Sequence, residues 1–377
     1  MTTIDSVGLT FDDVLLEPGY TDFKRQDVDC TTVLHPGITL PLPVLSSPMD
    51  TVTEEIMARS MALAGGMGII HRNLPVTAQA AMVKAVKTSK VGDSIHGAFD
   101  THGRLLVGAA VGIGADFEER VKAMCEAEAD MIVIDSGHGN TSYMVEAITH
   151  IKATYPNMVV MAGNIANYDG AKRLIDAGAD ILRVGMGPGS ICTTRIITGM
   201  GVPQLTAVSE AVRAVKDTAG STVTVIADGG IRQIGDMAKA LALGAHAVML
   251  GSLLAGYDES PGDLLTIDGK QFKAYRGMGS IAAMKKGSAE RYGQAKDTKD
   301  KKLIAEGVEG LVKYKGNVVD YCTQVAGSIR SSFYYIGART LAQFHQKARF
   351  IKITQASLTE SHPHSIVISN AGSNYTW

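Results

Sequence analysis

Residues 127–136 read Ala-Glu-Ala-Asp-Met-Ile-Val-Ile-Asp-Ser, and their pattern decides the fold. A small-residue lead-in of the kind that ends a helix runs into four apolar residues, which stop at two polar ones. The lead-in returns at 177–180 as Ala-Gly-Ala-Asp before Ile181–Val184, and at 243–246 as Leu-Gly-Ala-His before Ala247–Leu250. This is an internal repeat. Similar runs stand at Val44–Ser47, Met67–His71, Leu106–Val111, Val159–Gly163 and Val223–Ala227, each followed by a helix-like segment. Near-continuous apolar strands alternating with amphipathic helices predict a parallel sheet covered on both faces. Counting Met131–Asp135, there are eight such strands. They predict an α/β fold, a (β/α)8 TIM barrel, with an open doubly wound sheet as the alternative.

Composition narrows the function. The chain has 377 residues, 45% hydrophobic and 20% charged, enough for a sizeable core. It is read as one catalytic domain over 1–377. A net charge of −2 speaks against nucleic acid as a partner. No apolar run reaches the roughly 18 residues of a membrane span. The N-terminus has no basic segment leading into an apolar core, as a signal peptide would. Cysteines 30, 125, 192 and 322 are far apart, which fits a reducing cytoplasm rather than disulfides or zinc.

In a TIM barrel the active face lies at the strand C-termini, and polar residues collect there. They are Ser47, Met49 and Asp50, then Asp135 with Ser136, Asn164, Ser190 with Cys192, Asp228-Gly229-Gly230 and Gly251-Ser252. Any one of them alone could be a helix cap, and Ser47 or Ser136 reads equally well as one. Gly229-Gly230 and Gly251-Ser252 stand where such barrels bind phosphate, which predicts a phosphorylated substrate. After the sixth strand, residues 185–195 read Gly-Met-Gly-Pro-Gly-Ser-Ile-Cys-Thr-Thr-Arg. Backbone N–H groups in such a loop converge on an anion, and Cys192 is presented there as a nucleophile rather than a buried structural thiol. Beyond the eighth strand the repeat stops. The Lys-, Asp- and Gly-rich stretch within 275–312 reads from composition as disordered surface, with a mobile lid as the other reading. A last helical part, Asp320 to Ala348, and a polar tail close the chain.

Several long motifs now line up in order. Leu9-Thr-Phe-Asp-Asp-Val, Ser46-Ser-Pro-Met-Asp-Thr-Val-Thr53, Gly185–Arg195, Ala227-Asp-Gly-Gly-Ile-Arg232, Tyr275-Arg-Gly-Met-Gly-Ser280 and Arg291-Tyr292 resemble the IMP dehydrogenase family. The resemblance implies a homotetrameric barrel that oxidises IMP to XMP with NAD and water. It implies that Cys192 attacks C2 of the base and that the thioimidate formed is hydrolysed. Arg291, on a mobile flap spanning 281–312, would be the base for water, with Tyr292 beside it and Thr194 holding the water's proton. Arginine's ordinary pKa is above ~12, so burial on flap closure would have to weaken its charged form. Ser190, Gly229, Gly230, Gly251, Ser252 and Tyr275 would surround the phosphate, with Asp228 on the ribose. Ser47, Met49, Met278 and Gly279 would complete the substrate site, with Glu306 near N1. Asp135 and Ser136 would hold the nicotinamide riboside, with Asn164 and Arg183 alongside. Carbonyls of Gly187, Gly189 and Cys192 would bind K+, completed by Glu360, Ser361 and His362 of a neighbouring subunit, so the 350–377 tail would lie at an interface. Most relatives insert a regulatory CBS pair after the second strand. Here residues 91–103 form only a short linker, too small for a domain.

GMP reductase shares the barrel and the cysteine loop. It uses NADPH and usually carries basic residues after Thr-Thr-Arg, where this chain has Ile196-Ile197. A non-catalytic nucleotide-binding scaffold would have lost the nucleophile or the phosphate glycines, and both are present.

Overall fold

A computed structural model describes residues 6–92, 96–294, 302–370, 372, 374 and 375. Eight parallel strands close into a barrel: β1 (Val44–Ser46), β2 (Met67–Ile70), β3 (Val107–Val111), β4 (Met131–Asp135), β5 (Val159–Ile165), β6 (Ile181–Val184), β7 (Thr224–Asp228) and β8 (Ala247–Leu250). Closure comes from β8 against β1, with Val248 opposite Val44. The open-sheet alternative is thereby excluded.

Residue alternation along each strand sorts side chains between two cores. Leu45, Met67, Ile69, Leu106, Met131, Val133, Met161, Ile181, Ile226 and Met249 fill the barrel interior, and Leu34, Ile38 and Leu40 of an N-terminal hairpin pack with them. The intervening residues, such as Ile132, Ile134, Leu182 and Val248, face the surrounding helices. Continuing the inward rows past the core puts Ser47, Asp135, Arg183, Asp228 and Gly251 at the C-terminal mouth. Strand parity therefore selects the residues of the site.

The repeated lead-in has a structural reason. Asp130 accepts the Val107 N–H at 2.8 Å and Lys87 Nζ at 2.8 Å. Asp180 does the same for Val160 at 2.7 Å and Lys152 at 2.7 Å. In the third copy His246 Nδ1 accepts from Val225 N–H at 3.3 Å. Each copy ties the start of one strand to its neighbour. Lys87, at the end of the helix Val76–Lys87, also reaches Asp100 at 2.8 Å, and only 1% of its side chain is exposed. Lys87→Met would strip the enclosed Asp130 of its ammonium partner and leave Asp100 with Arg104 alone, at 2.9 Å. The expected cost is about 3–5 kcal/mol of unfolding free energy, read as a lowered denaturation midpoint. A change below ~1 kcal/mol would mean that Arg104 alone balances this corner.

Three sequence expectations need correction. Strand five runs on to Ile165 because a bulge between Gly163 and Ile165 lets pairing with β6 resume, and Asn164 sits at that irregularity. The last helical part is two helices, Val318–Ile336 and Leu341–Lys347. Gly337 at φ 79° ends the first, and Thr340 caps the second through Gln343 N–H. The charged stretch after β8 is structured wherever it is described. Leu264–Ile267, Lys270–Arg276 and Glu309–Lys313 form an antiparallel sheet. Ile281–Lys286 is a short helix, and Met284, Ala289 and Leu303 cluster with Ile281 and Ala305. Of the 281–312 flap, residues 295–301 lie outside the described residues, as do 93–95 of the 91–103 linker and 371, 373, 376 and 377 of the tail. Phe350–Lys352 pairs with Val14–Leu16 of its own chain. No helix among the described residues is long and apolar enough to cross a membrane.

Candidate active site

The inward rows and the loops above them enclose one cavity, and Cys192 lines it. The 185–195 loop is held from two sides. Thr193 N–H donates to the Glu306 carbonyl at 2.9 Å, and Val308 N–H to the Ile191 carbonyl at 3.0 Å. Gly277 N–H then reaches the Val308 carbonyl at 2.9 Å. The thiol of Cys192 points at the Thr194 hydroxyl, Sγ to Oγ1 being 3.2 Å. Thr194 itself opens a five-residue helix and does not line the cavity.

Across the cavity lies a glycine-lined corner. Gly229 and Gly230 both have left-handed backbones, φ 83° and 75°, so side chains there would be strained. Ser190, Gly251, Ser252 and Tyr275 join them in the lining. A Cβ added at Gly251 would stand 3.0 Å from the Tyr275 hydroxyl and 3.1 Å from Met49 Sδ. Burial pushes the Tyr275 hydroxyl up to about 12, although hydrogen bonds with Ser190 and Ser252 oppose the shift. It therefore stays a neutral donor. Ser47, Met49, Met278, Gly279 and Glu306 complete this wall, together with Ile191 and Pro188, which the sequence reading did not name.

The floor is ionic. Arg183 donates from Nε to Asp228 Oδ2 at 2.8 Å and from Nη1 to Asp135 Oδ1 at 2.5 Å. Asn164 Nδ2 also reaches Asp228 Oδ2, at 2.7 Å, while its buried Oδ1 has no partner among the described residues. Asp135 and Ser136 do not line this cavity; they lie behind Arg183, and Ser136 Oγ donates to the His138 carbonyl at 3.0 Å.

Arg291 and Tyr292 close the cavity from above. The Arg291 guanidinium is hydrogen-bonded to Asp135, and its carbonyl accepts from Gly137 N–H at 3.0 Å. Here the sequence expectation meets a correction. Arg291 is buried, and burial weakens its charge, but Asp135, with Tyr292 and Asp228, outweighs burial and raises the guanidinium above its ordinary value. Asp135 in turn is held below the usual carboxylate range: burial would raise it, and Arg291, Arg183 and Arg72 overcome that.

Gly187, Gly189 and Cys192 stand together in the loop, where Gly189 already accepts from Cys192 N–H at 3.1 Å. Glu360, Ser361 and His362 end an exposed helix, Gln355–Glu360, and do not line the cavity of their own chain. Two arginines were also missed. Arg232 lines the cavity, and Arg72 stands behind it beside Asp135. The end-of-strand rule, applied to His71-Arg72-Asn73 after strand two, would have found Arg72.

The family model describing the IMP dehydrogenase/GMP reductase domain matches residues 8–364. The chain belongs to this IMP dehydrogenase/GMP reductase family. A relative from Borreliella burgdorferi, named inosine-5′-monophosphate dehydrogenase, is 43% identical over 96% of this chain and 98% of its own. Relatives of the same name from Streptococcus pyogenes and Bacillus subtilis are 38% and 37% identical, each over 98% of this chain and 97% and 98% of theirs. The Streptococcus alignment runs over 483 positions against a family member of 377 residues, so it opens gaps here the size of an inserted domain. The Borreliella alignment needs only 399.

Proposed function

We propose that this protein is an IMP dehydrogenase, converting IMP, NAD and water to XMP and NADH through a covalent bond to Cys192. One observation carries the reading. The thiol, the glycine-lined anion corner and the Arg291–Tyr292 pair all face a single cavity. A nucleoside monophosphate whose phosphate sits among Ser190, Gly230, Gly251, Ser252 and Tyr275, with Asp228 on its ribose, presents its base to Cys192.

The sulfur then adds to C2. NAD, when bound, supplies the acceptor for the hydride that C2 must lose. Water next breaks the C–S bond, giving XMP and restoring the thiol. Thr194, 3.2 Å from Sγ, is within reach of the incoming water's proton. Arg291 lines the same cavity and would take that proton in its neutral form, which Asp135 makes scarce. Asp135 also matches the ligand of the nicotinamide riboside, so flap and cofactor would use the same carboxylate at different stages.

A potassium ion fits the oxygen chemistry of the loop carbonyls of Gly187, Gly189 and Cys192. These supply only part of a shell. Glu360, Ser361 and His362 of a second copy would supply the rest, as the homotetramer implied by the family resemblance allows. GMP reductase is the second reading, and the Arg291–Tyr292 pair over the thiol disfavours it, since releasing ammonia from GMP needs no activated water.

The decisive assay combines purified protein with IMP, NAD and potassium, and separately with GMP and NADPH. NADH absorbance in the first mixture and no NADPH consumption in the second are expected. The reverse pattern would transfer the assignment to the reductase.

A further inference from the structure

Behind Asp135 stands a third arginine that the proposed chemistry leaves unused. Arg72 follows β2, and only 8% of its side chain is exposed. Its guanidinium fills the space that Gly112 leaves beyond β3, where an added Cβ would lie 2.8 Å from Cζ. Arg72 Nε is 4.0 Å from Asp135 Oδ2, too far for a hydrogen bond, and it has no other acceptor among the described residues. An unsatisfied buried donor facing a carboxylate is costly, and it calls for a reason.

The reason is the flap. Arg183 and Arg291 both bind Asp135 Oδ1, so closure brings a further positive charge close to Arg72. Of the flap's two charges, the repulsion from Arg291 on Arg72 is larger than the attraction from Glu290. Glu290 itself is pressed against Gly114, 2.0 Å from where a Cβ would be. When the flap withdraws, both charges leave together and Arg72 is left facing Asp135. Closing a gap of about 1 Å needs only a small side-chain rotation.

We propose that Arg72 is a positioning residue that hydrogen-bonds Asp135 Oδ2 when Arg291 withdraws, fixing the carboxylate's direction for the ribose hydroxyls of the dinucleotide. This rests on the reading above, in which Asp135 serves the nicotinamide riboside. Loss of Arg72 acts twice in one direction. Asp135 loses an orienting partner, and Arg291 loses a repelling neighbour and competes better for the same oxygen.

The test is a binding measurement that needs no turnover. Calorimetry on Cys192→Ala protein saturated with IMP gives the NAD affinity directly. Adding Arg72→Gln should raise the NAD Kd about tenfold, the worth of one charge-assisted hydrogen bond, and leave the IMP Kd unchanged. Arg72→Lys should recover most of the loss. Gly112→Ala, which keeps Arg72 but displaces its guanidinium, should weaken NAD in the same way and decides the matter if the Gln variant does not fold. An unchanged NAD Kd, or equal losses for IMP and NAD, would overturn the role of Arg72. A Cys192→Ala–IMP complex that binds no NAD even with Arg72 intact would instead sink the proposed function.

Discussion

Cys192→Ala should abolish NADH formation, including the first turnover, with a fall of at least about 10³-fold, because the step that makes C2 a hydride donor needs the sulfur. The fold should be indifferent to the change. The loop around residue 192 is held by backbone bonds of Thr193 to Glu306 and of Val308 to Ile191, and neither involves the thiol. Among the described residues Sγ hydrogen-bonds to the Thr194 hydroxyl, which can turn to solvent. IMP affinity should therefore survive, since the phosphate corner of Gly230, Gly251 and Tyr275 is untouched. Intact-protein mass spectrometry provides the second readout. With IMP and NAD present, the unmodified chain should carry a nucleotide adduct, and the alanine variant none. A variant that still releases one equivalent of NADH per site would remove the sulfur from the mechanism.

What the sequence disclosed about this site follows from how strands are built. Alternation with period two is local, so the rows Met131-Val133-Asp135 and Ile181-Arg183 can be read without coordinates, and they end at the mouth as observed. The repeated Ala-x-Ala-Asp lead-in was equally visible. Its purpose was not, because the backbone N–H that Asp130 accepts lies 23 residues away on the neighbouring strand. The flap shows the same limit. Among its described residues the apolar cluster is Met284, Ala289 and Leu303 with Ile281 and Ala305, spacings that show no period amid Lys, Asp and Gly. Charge balance was the least legible property of all. The state of Arg291 is set largely by Asp135, 156 residues earlier, and that of Asp135 by Arg183 and Arg72 as well. Burial alone argued for a weakened guanidinium, and a contact between distant strands and flap reversed the sign.

That reversal sharpens the second large prediction. Arg291→Ala should leave the first burst of NADH intact, at one equivalent per site, and slow steady turnover by about 10²–10⁴-fold, the usual worth of a general base. The flap should still dock, because the Arg291 carbonyl that accepts from Gly137 N–H is retained and Tyr292 keeps its place. Asp135 remains paired with Arg183, so no buried carboxylate is left uncompensated. The pH dependence separates a base from a mere clamp. Asp135 raises the pKa of Arg291, so the neutral form is scarce at neutral pH and grows tenfold with each unit of alkalinity. Where hydrolysis limits the unmodified enzyme, its rate should climb with pH, and in Arg291→Ala that climb should disappear. If burst and turnover fall together, Arg291 is needed before hydrolysis and its role is to seal the site. If the climb persists without the guanidinium, the proton goes elsewhere, and the Thr194 hydroxyl is the nearest group to receive it.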